Sequence, residues 1–128
     1  KNRRRQQDDA IQAAMKQPRQ DRQPERDAKL VHIPVAVGVF VIVRCRAAGV
    51  HCGYLQHRQG TEVTLRKARR IWRWGGAETL NELANYGASQ EHTRISERVP
   101  EILLLDAVEI IPCQEAASAD LRVSRWSQ

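Results

Sequence analysis

Residues 68–77 are the segment that most restricts the fold of this chain, because arginines alternate there with two of the three tryptophans before a pair of glycines. Alternation with period two is typical of a β-strand, whose successive side chains point to opposite faces of a sheet. The pattern places Arg69, Ile71 and Arg73 on one face and Arg70, Trp72 and Trp74 on the other. We therefore expect a strand that ends at the glycine pair and carries a binding surface, with these candidate binding residues: Arg69, Arg70, Trp72, Arg73, Trp74, Gly75 and Gly76.

The positive charge of the chain is concentrated near its beginning. The formal net charge is +6 over 128 residues, and residues 1–30 hold nine Lys or Arg against five Asp or Glu, which is +4 of that total. This segment has no aromatic side chain and two prolines, a composition that buries too little apolar surface to offset the entropy of ordering. We expect residues 1–36 to be a flexible basic arm, disordered or partly helical, and residues 37–126 to be a single domain.

Short apolar segments separated by turn residues predict a small antiparallel sheet after residue 35. The apolar run 35–43 is a candidate buried strand, and Gly49 suits the third position of a type II turn that would begin a hairpin. A turn centred between Ala48 and Gly49 would place Cys45 directly opposite Cys52.

Later segments continue the strand pattern. Residues 61–65 alternate as a half-buried strand should, and Arg66 and Lys67 mark a bend before the Arg/Trp strand. Residues 102–105 and 108–111 predict two more strands, the second of them central in the sheet and ended by Pro112.

Two short helices complete the predicted fold. Residues 77–87 have Leu80 and Leu83 at helical spacing and Gly87 as a stop, and residues 114–121 predict a second helix. The polar residues 88–98 between them are expected to form a loop or an irregular edge, and Trp126 is expected to fold back on the domain or onto a partner. The expected fold class is α+β, a small strand-rich antiparallel sheet or partly open barrel with two short helices.

No membrane-spanning, metal-binding or catalytic pattern emerges. The apolar run of about nine residues is far shorter than the ~20 needed to cross a bilayer, and the N-terminal region does not resemble a signal peptide. The three cysteines form no Cys-x-x-Cys pair and are expected to be small apolar fillers. A zinc site could be drawn from His51, His57, Cys45 and Cys52, and a nucleophile–base set from Cys52, His51 and Glu62. In both, the neighbouring residues His51 and Cys52 point to opposite faces of the strand and do not converge. We therefore expect no metal, no cofactor and no enzymatic activity.

Two segments carry a resemblance to a known family: Ala-Arg-Arg-Ile-Trp-x-Trp-x-Gly-Ala at residues 68–77 and Glu-Ile-Ile-Pro-Cys at residues 109–113. The chain resembles small tailed-phage and prophage proteins described as a domain of unknown function, over residues 39–126. The resemblance implies a phage or prophage origin, a setting in the host cytoplasm or the virion, and a non-enzymatic role. It supplies no catalytic residue.

The favoured function is binding or assembly through protein–protein contacts, with copies of the same chain or with another phage or host protein, because Trp and Arg are enriched among interface residues. The alternative partner is an anionic ligand, either nucleic acid or a nucleotide signal of the kind bound by phage anti-defence proteins. The arginines would then hold phosphate while Trp72 or Trp74 stacks on a base. A purely structural alternative stays open, in which the tryptophans pack in the core and the arginines pair with acids such as Glu62.

Overall fold

The computed structural model describes residues 30–89 and 91–123. Most of the predicted arm, and Trp126, lie outside these residues. The described part contains six strands and two short helices, which confirms the α+β prediction. Their bounds are β1 Phe40–Cys45, β2 Val50–Gln59, β3 Glu62–Arg73, α1 Leu80–Tyr86, β4 Arg94–Ile95, β5 Val99–Leu104, β6 Ala107–Pro112 and α2 Glu115–Leu121.

All the strand pairs are antiparallel and form one sheet in the order β4-β3-β2-β1-β6, with β5 pairing with β3 beside β4. The prediction that residues 108–111 form a central strand is wrong, because β1 is the only described strand that pairs with β6, which lies at the edge of the sheet. Pro112 fits this position, since a proline cannot donate a ladder hydrogen bond and is tolerated at sheet edges.

Apolar side chains cover both faces of the sheet. On one face, Ile42, Cys52 and Ile71 pack against Leu83 of α1 and Leu121 of α2, and we call this the helix face. The cluster on the other face, which we call the strand face, is built from strand residues of β1, β2, β3, β5 and β6, among them Val41, Leu55, Leu65 and Leu104.

The sheet curls around the strand-face cluster without closing into a barrel. The link between β5 and β6 reaches the turn between β2 and β3, where the backbone N–H of Ala107 donates to the Thr61 carbonyl at 3.0 Å. The Thr61 hydroxyl also donates to the carbonyl of Leu105 at 3.3 Å. These contacts bring strands from opposite edges of the sheet over one core.

The first hairpin has a different register from the predicted one. Val43 lies opposite His51, and Cys45 closes the loop through a backbone hydrogen bond to Gly49. Gly49 has the positive φ expected of a turn glycine. Cys45 belongs to the strand-face cluster and Cys52 to the helix-face cluster, so the predicted pairing of these cysteines is wrong. The loop is longer than the two-residue turn assumed, which shifts every pair.

Residues 62–73 form one continuous strand, so the predicted bend at Arg66 and Lys67 is wrong. A β-bulge stands in its place, since β2 advances two residues from Cys52 to Tyr54 while β3 advances three, from Arg69 to Arg66. Lys67 has φ 52°, the only positive φ among the non-glycine residues that the structure describes. The extra residue at a bulge changes which face the following side chains occupy.

Smaller differences appear at two element ends. The apolar run 35–43 is buried only from Phe40 onward, and Val35 and Val37 are exposed. Helix α1 begins at Leu80, three residues after the predicted start, because the Thr79 side chain caps it by accepting a hydrogen bond from the Glu82 N–H at 3.2 Å. Gly87 ends this helix as predicted.

Candidate functional site

The bulge in β3 decides where the Arg/Trp segment points. Beyond the bulge, Arg69 lies opposite Cys52 on the helix face and Arg70 lies opposite His51 on the strand face. Ile71 is buried in the helix-face cluster. The predicted alternation of these residues therefore holds within the strand.

The two tryptophans do not share a face, contrary to the prediction. Trp72 is 47% exposed and lies beside Arg70, whereas Trp74 is half-buried against the helix-face cluster. The reason is that β3 ends at Arg73, so period two does not extend to Trp74. The expectation of core packing therefore describes Trp74, and the expectation of an exposed aromatic surface describes Trp72.

A cavity of about 300 Å³ opens beside Trp72, and we call it the Trp72 cavity. Its apolar walls come from Ala68 and Trp72 of β3 and from Val99 and Ile102 of β5. Polar groups reach it from His51, Arg69, Arg70, Ser96 and Glu97. A cavity of this volume lies at the lower end of the range of small-molecule sites, ~300–1,000 Å³.

Arg70 is held in the Trp72 cavity by a buried histidine. Its Nε donates to His51 Nε2 at 3.2 Å, and because an arginine can only donate, this nitrogen of His51 is the unprotonated acceptor. Burial of the imidazole, followed by the nearby positive charge of Arg70, lowers the pKa of His51 to about 4. His51 is therefore neutral at pH 7, and its Nδ1 has no hydrogen-bond partner among the described residues.

The remaining nitrogens of Arg70 are available to a ligand. The side chain is exposed, and its only hydrogen bond within the described residues is the one from Nε to His51. The two terminal amino groups of a guanidinium fixed in this way can bind a carboxylate or phosphate in a bidentate geometry. Because the cavity also presents the indole of Trp72, it can hold a group that is both planar and anionic.

A second pocket lies on the helix face and is strongly basic. Its volume is about 190 Å³, and we call it the basic pocket. Four cationic side chains and one phenol line it: Lys67, Arg69, Arg98, Arg122 and Tyr54. Only Arg69 of these residues is a predicted binding residue. The other three cations come from the bulge, from the link between β4 and β5, and from the end of α2, so no local sequence pattern connects them.

The remaining predicted binding residues line neither pocket. Arg73 is exposed and pairs with Arg94 of β4. Gly75 and Gly76 follow the end of β3 and lie against His92 and Ser89, and a Cβ on Gly75 would lie 2.6 Å from the Cβ of His92. Gly76 has φ +79°, and a Cβ there would lie 2.8 Å from Ser89. The two glycines thus permit a close approach of two segments.

The cysteines and the histidines do not converge on a reactive site in the described residues. All three cysteines are buried and free, and burial raises the pKa of the Cys52 thiol to about 12. No group of three or more His, Cys, Asp or Glu in the described part of the chain could hold a metal ion. Within the same residues, no helix has the length and apolar character needed to cross a membrane.

Comparison with known proteins gives one match. A family described as "Domain of unknown function (DUF6948)" matches residues 38–121, which include all of the strands and helices described above. No curated protein and no solved structure matches the chain significantly.

Proposed function

The chain belongs to the family of domains of unknown function DUF6948, and from the geometry of its sheet we propose that it is a non-enzymatic binding module for a nucleotide-type ligand. The ligand is defined by its chemistry, a planar base together with a phosphate. The observation that carries the proposal is the Trp72 cavity, where an exposed indole and a fixed guanidinium line the same space.

Both parts of such a ligand find a suitable partner in the cavity. An indole can stack on a base, which is worth ~1–3 kcal/mol per stacked base, and the apolar side chains of Val99 and Ile102 line the same cavity. The terminal amino groups of Arg70 are suited to a phosphate, and the hydrogen bond to His51 reduces the entropy lost when they bind it. His51 is a positioning residue in this proposal, because it acts through Arg70.

The test is direct binding to the full chain. The probes are common nucleoside monophosphates and a short oligothymidylate, titrated by calorimetry at low and moderate salt. We expect Trp72→Ala and Arg70→Gln each to weaken binding about tenfold, equivalent to ~1.4 kcal/mol, and we expect added salt to weaken binding through the phosphate contact.

Arg73→Gln is the matched control, because Arg73 is an exposed arginine of the same strand that lines neither pocket. Its affinity should stay at the wild-type value. The proposal fails if none of the probes binds at low salt, or if Arg73→Gln weakens binding as much as Arg70→Gln does.

Protein contact is the second candidate function. Leu103 and Leu105, at the end of β5, are 55% and 64% exposed, and β5 lies at an edge of the sheet, where a second copy of the chain could add a strand. If the chain self-associates here, light scattering will give a dimer mass for the wild type and a monomer mass for the Leu103→Ser/Leu105→Ser variant. A wild-type monomer at high concentration would exclude this candidate.

The resemblance to tailed-phage and prophage proteins supports a phage origin and a setting in the host cytoplasm or the virion. A ligand-binding module fits either setting, since nucleotides and nucleic acid are present in both. Purification of the full chain from a host, followed by the ratio of absorbance at 260 and 280 nm, would detect a bound nucleotide or nucleic acid.

A further inference from the structure

The basic pocket brings together cations that are far apart in the sequence. Lys67 comes from the bulge, Arg69 from the following part of β3, Arg98 from the residue before β5, and Arg122 from the residue after α2. Tyr54 adds a phenol, whose oxygen accepts a hydrogen bond from Arg122 Nη1 at 3.1 Å. The phenol still has its own proton to donate.

No acid neutralises these four cations within the described residues. The ion pairs seen there, Arg44 with Glu109 and Arg46 with Asp106, lie elsewhere on the sheet. Glu115 of α2 acts on Arg122 through its field, but the two side chains form no ion pair. Arg69 uses one terminal nitrogen to donate to the Ser96 carbonyl at 3.1 Å, so the pocket keeps its full positive charge.

Arg98 repels Arg69, and this repulsion contributes to a lowered pKa of Arg69. Burial first, and then the positive charge of Arg98, lower the pKa of Arg69. Like charges held close together disfavour the charged state of each. An arrangement of this kind is unfavourable in the free protein and becomes favourable when an anion enters it.

The backbone at the pocket is also in an unfavourable conformation. Lys67 has φ 52°, a left-handed conformation that a residue with a long side chain rarely adopts. Gly53 of β2 lies against the bulge, where a Cβ would stand 2.9 Å from the Arg66 carbonyl oxygen. Bulges often redirect a side chain at a binding site, and strained backbone conformations are concentrated at such sites. Here the bulge contains Lys67, which lines the basic pocket.

From these observations we propose that the basic pocket is a binding site for a phosphate or diphosphate group. Three guanidiniums offer planar pairs of N–H donors, the Lys67 ammonium adds a compact charge, and the Tyr54 hydroxyl adds a neutral donor. The volume of about 190 Å³ suits a phosphate or diphosphate group rather than a whole nucleotide. The basic pocket shares only Arg69 with the Trp72 cavity, and the inference does not depend on the proposed function.

Calorimetry with inorganic pyrophosphate tests the site on the full chain. We expect saturable binding in the wild type, a loss of about tenfold in affinity for Arg98→Gln and for Arg122→Gln, and a smaller loss for Arg98→Lys, which keeps the charge. The control is Arg73→Gln, which should bind pyrophosphate like the wild type. Absence of saturable binding, or an equal loss in the control, would overturn the proposal.

Thermal unfolding separates a binding role of Arg98 from a structural one. If Arg98 serves only the anion, then Arg98→Gln should raise the melting temperature of the free protein, because it removes a repulsion from Arg69. It should also reduce the increase in melting temperature that pyrophosphate produces in the wild type. A lower melting temperature without ligand, and an unchanged response to pyrophosphate, would contradict the proposal.

The source of the phosphate is tested with a nucleoside, the corresponding nucleoside diphosphate, and pyrophosphate. If the phosphate belongs to a nucleotide, the diphosphate will bind more tightly than pyrophosphate, and Trp72→Ala will abolish that difference. If it is a free anion, Arg98→Gln will weaken the binding of pyrophosphate but not that of the nucleoside diphosphate. Both results support the basic pocket as a binding site. Binding of the nucleoside without binding of pyrophosphate would support the Trp72 cavity and refute the basic pocket.

Discussion

His51 has an environment that its position in the sequence does not suggest. A histidine on a strand next to a cysteine resembles a metal ligand or a catalytic base, yet the side chain is buried, neutral and bonded to Arg70. In the proposed function it positions Arg70, and the low pKa of its buried imidazole makes the folded protein sensitive to acid.

We expect His51 to make stability fall as the pH is lowered below neutral. The folded pKa of about 4 lies below the unfolded value of ~6.5, so the unfolded state binds more protons between these values. Between pH 7 and pH 4.5 the loss attributable to His51 is about 2–3 kcal/mol of unfolding free energy.

The measurement is urea unfolding of the wild type and of His51→Gln across this range. Carboxylates titrate in both proteins, so the difference between the two curves isolates the histidine. Glu97, Arg69 and Arg70 line the same cavity and are unchanged in the variant. Curves that stay parallel from pH 7 to pH 4.5 would show that His51 keeps an ordinary pKa in the folded protein.

At the scale of elements, β3 carries most of the features that could bind a ligand. It contributes Arg69, Arg70 and Trp72, and it pairs with β2, β4 and β5. The bulge within it depends on close contact with Gly53 of β2, since any Cβ there would meet the Arg66 carbonyl and the Ala68 Cα. Gly53 is thus a requirement of the bulge.

We expect Gly53→Ala to destabilise the domain by about 1–3 kcal/mol, the usual cost of inserting a methyl group into a closely packed position. The matched control is Gly49→Ala, where a Cβ would have open space but where φ is +87°, so its cost comes from backbone strain alone. Chemical denaturation measures both. If Gly53 maintains the bulge that places Lys67 in the basic pocket, the Gly53 variant will also lose affinity for pyrophosphate, while the Gly49 variant will not.

Some elements of the fold could be predicted from the sequence, whereas those that depend on tertiary contacts could not. Helix α1 could be predicted from the sequence because Leu83 fits a helical spacing of apolar residues and Gly87 is a local stop signal. The alternation of side chains from Arg69 to Trp72 could also be predicted, because it depends only on the pleated geometry of a β-strand. The extra residue at Lys67 could not be predicted, because it depends on contact with a glycine in another strand. The face of Trp74 was predicted wrongly, because tertiary contacts determine where a strand ends.

At the scale of the whole molecule, the two pockets share one residue. Arg69 lines both the Trp72 cavity and the basic pocket, next to the link between β4 and β5. The sequence predicts Arg69 as a binding residue, but it does not indicate that Arg69 lines two pockets, because Arg98 and Arg122 approach it only in the folded chain.

A substitution at Arg69 should therefore affect both kinds of ligand. We expect Arg69→Gln to weaken pyrophosphate and nucleoside monophosphates alike, by about tenfold each. Arg98→Gln should weaken pyrophosphate and leave the monophosphates unchanged, and Trp72→Ala should do the reverse. Calorimetry of the three variants against both probes provides the comparison, and an Arg69 variant that affects only one probe would show that the residue serves only one pocket.

The extra residue in β3 determines toward which face of the sheet each following side chain of that strand points. If the same residues formed a regular strand without the bulge, Arg66 and Arg69 would point to opposite faces, so that Arg70 would face the apolar contacts of α1 and α2 while Ile71 would face the opposite side.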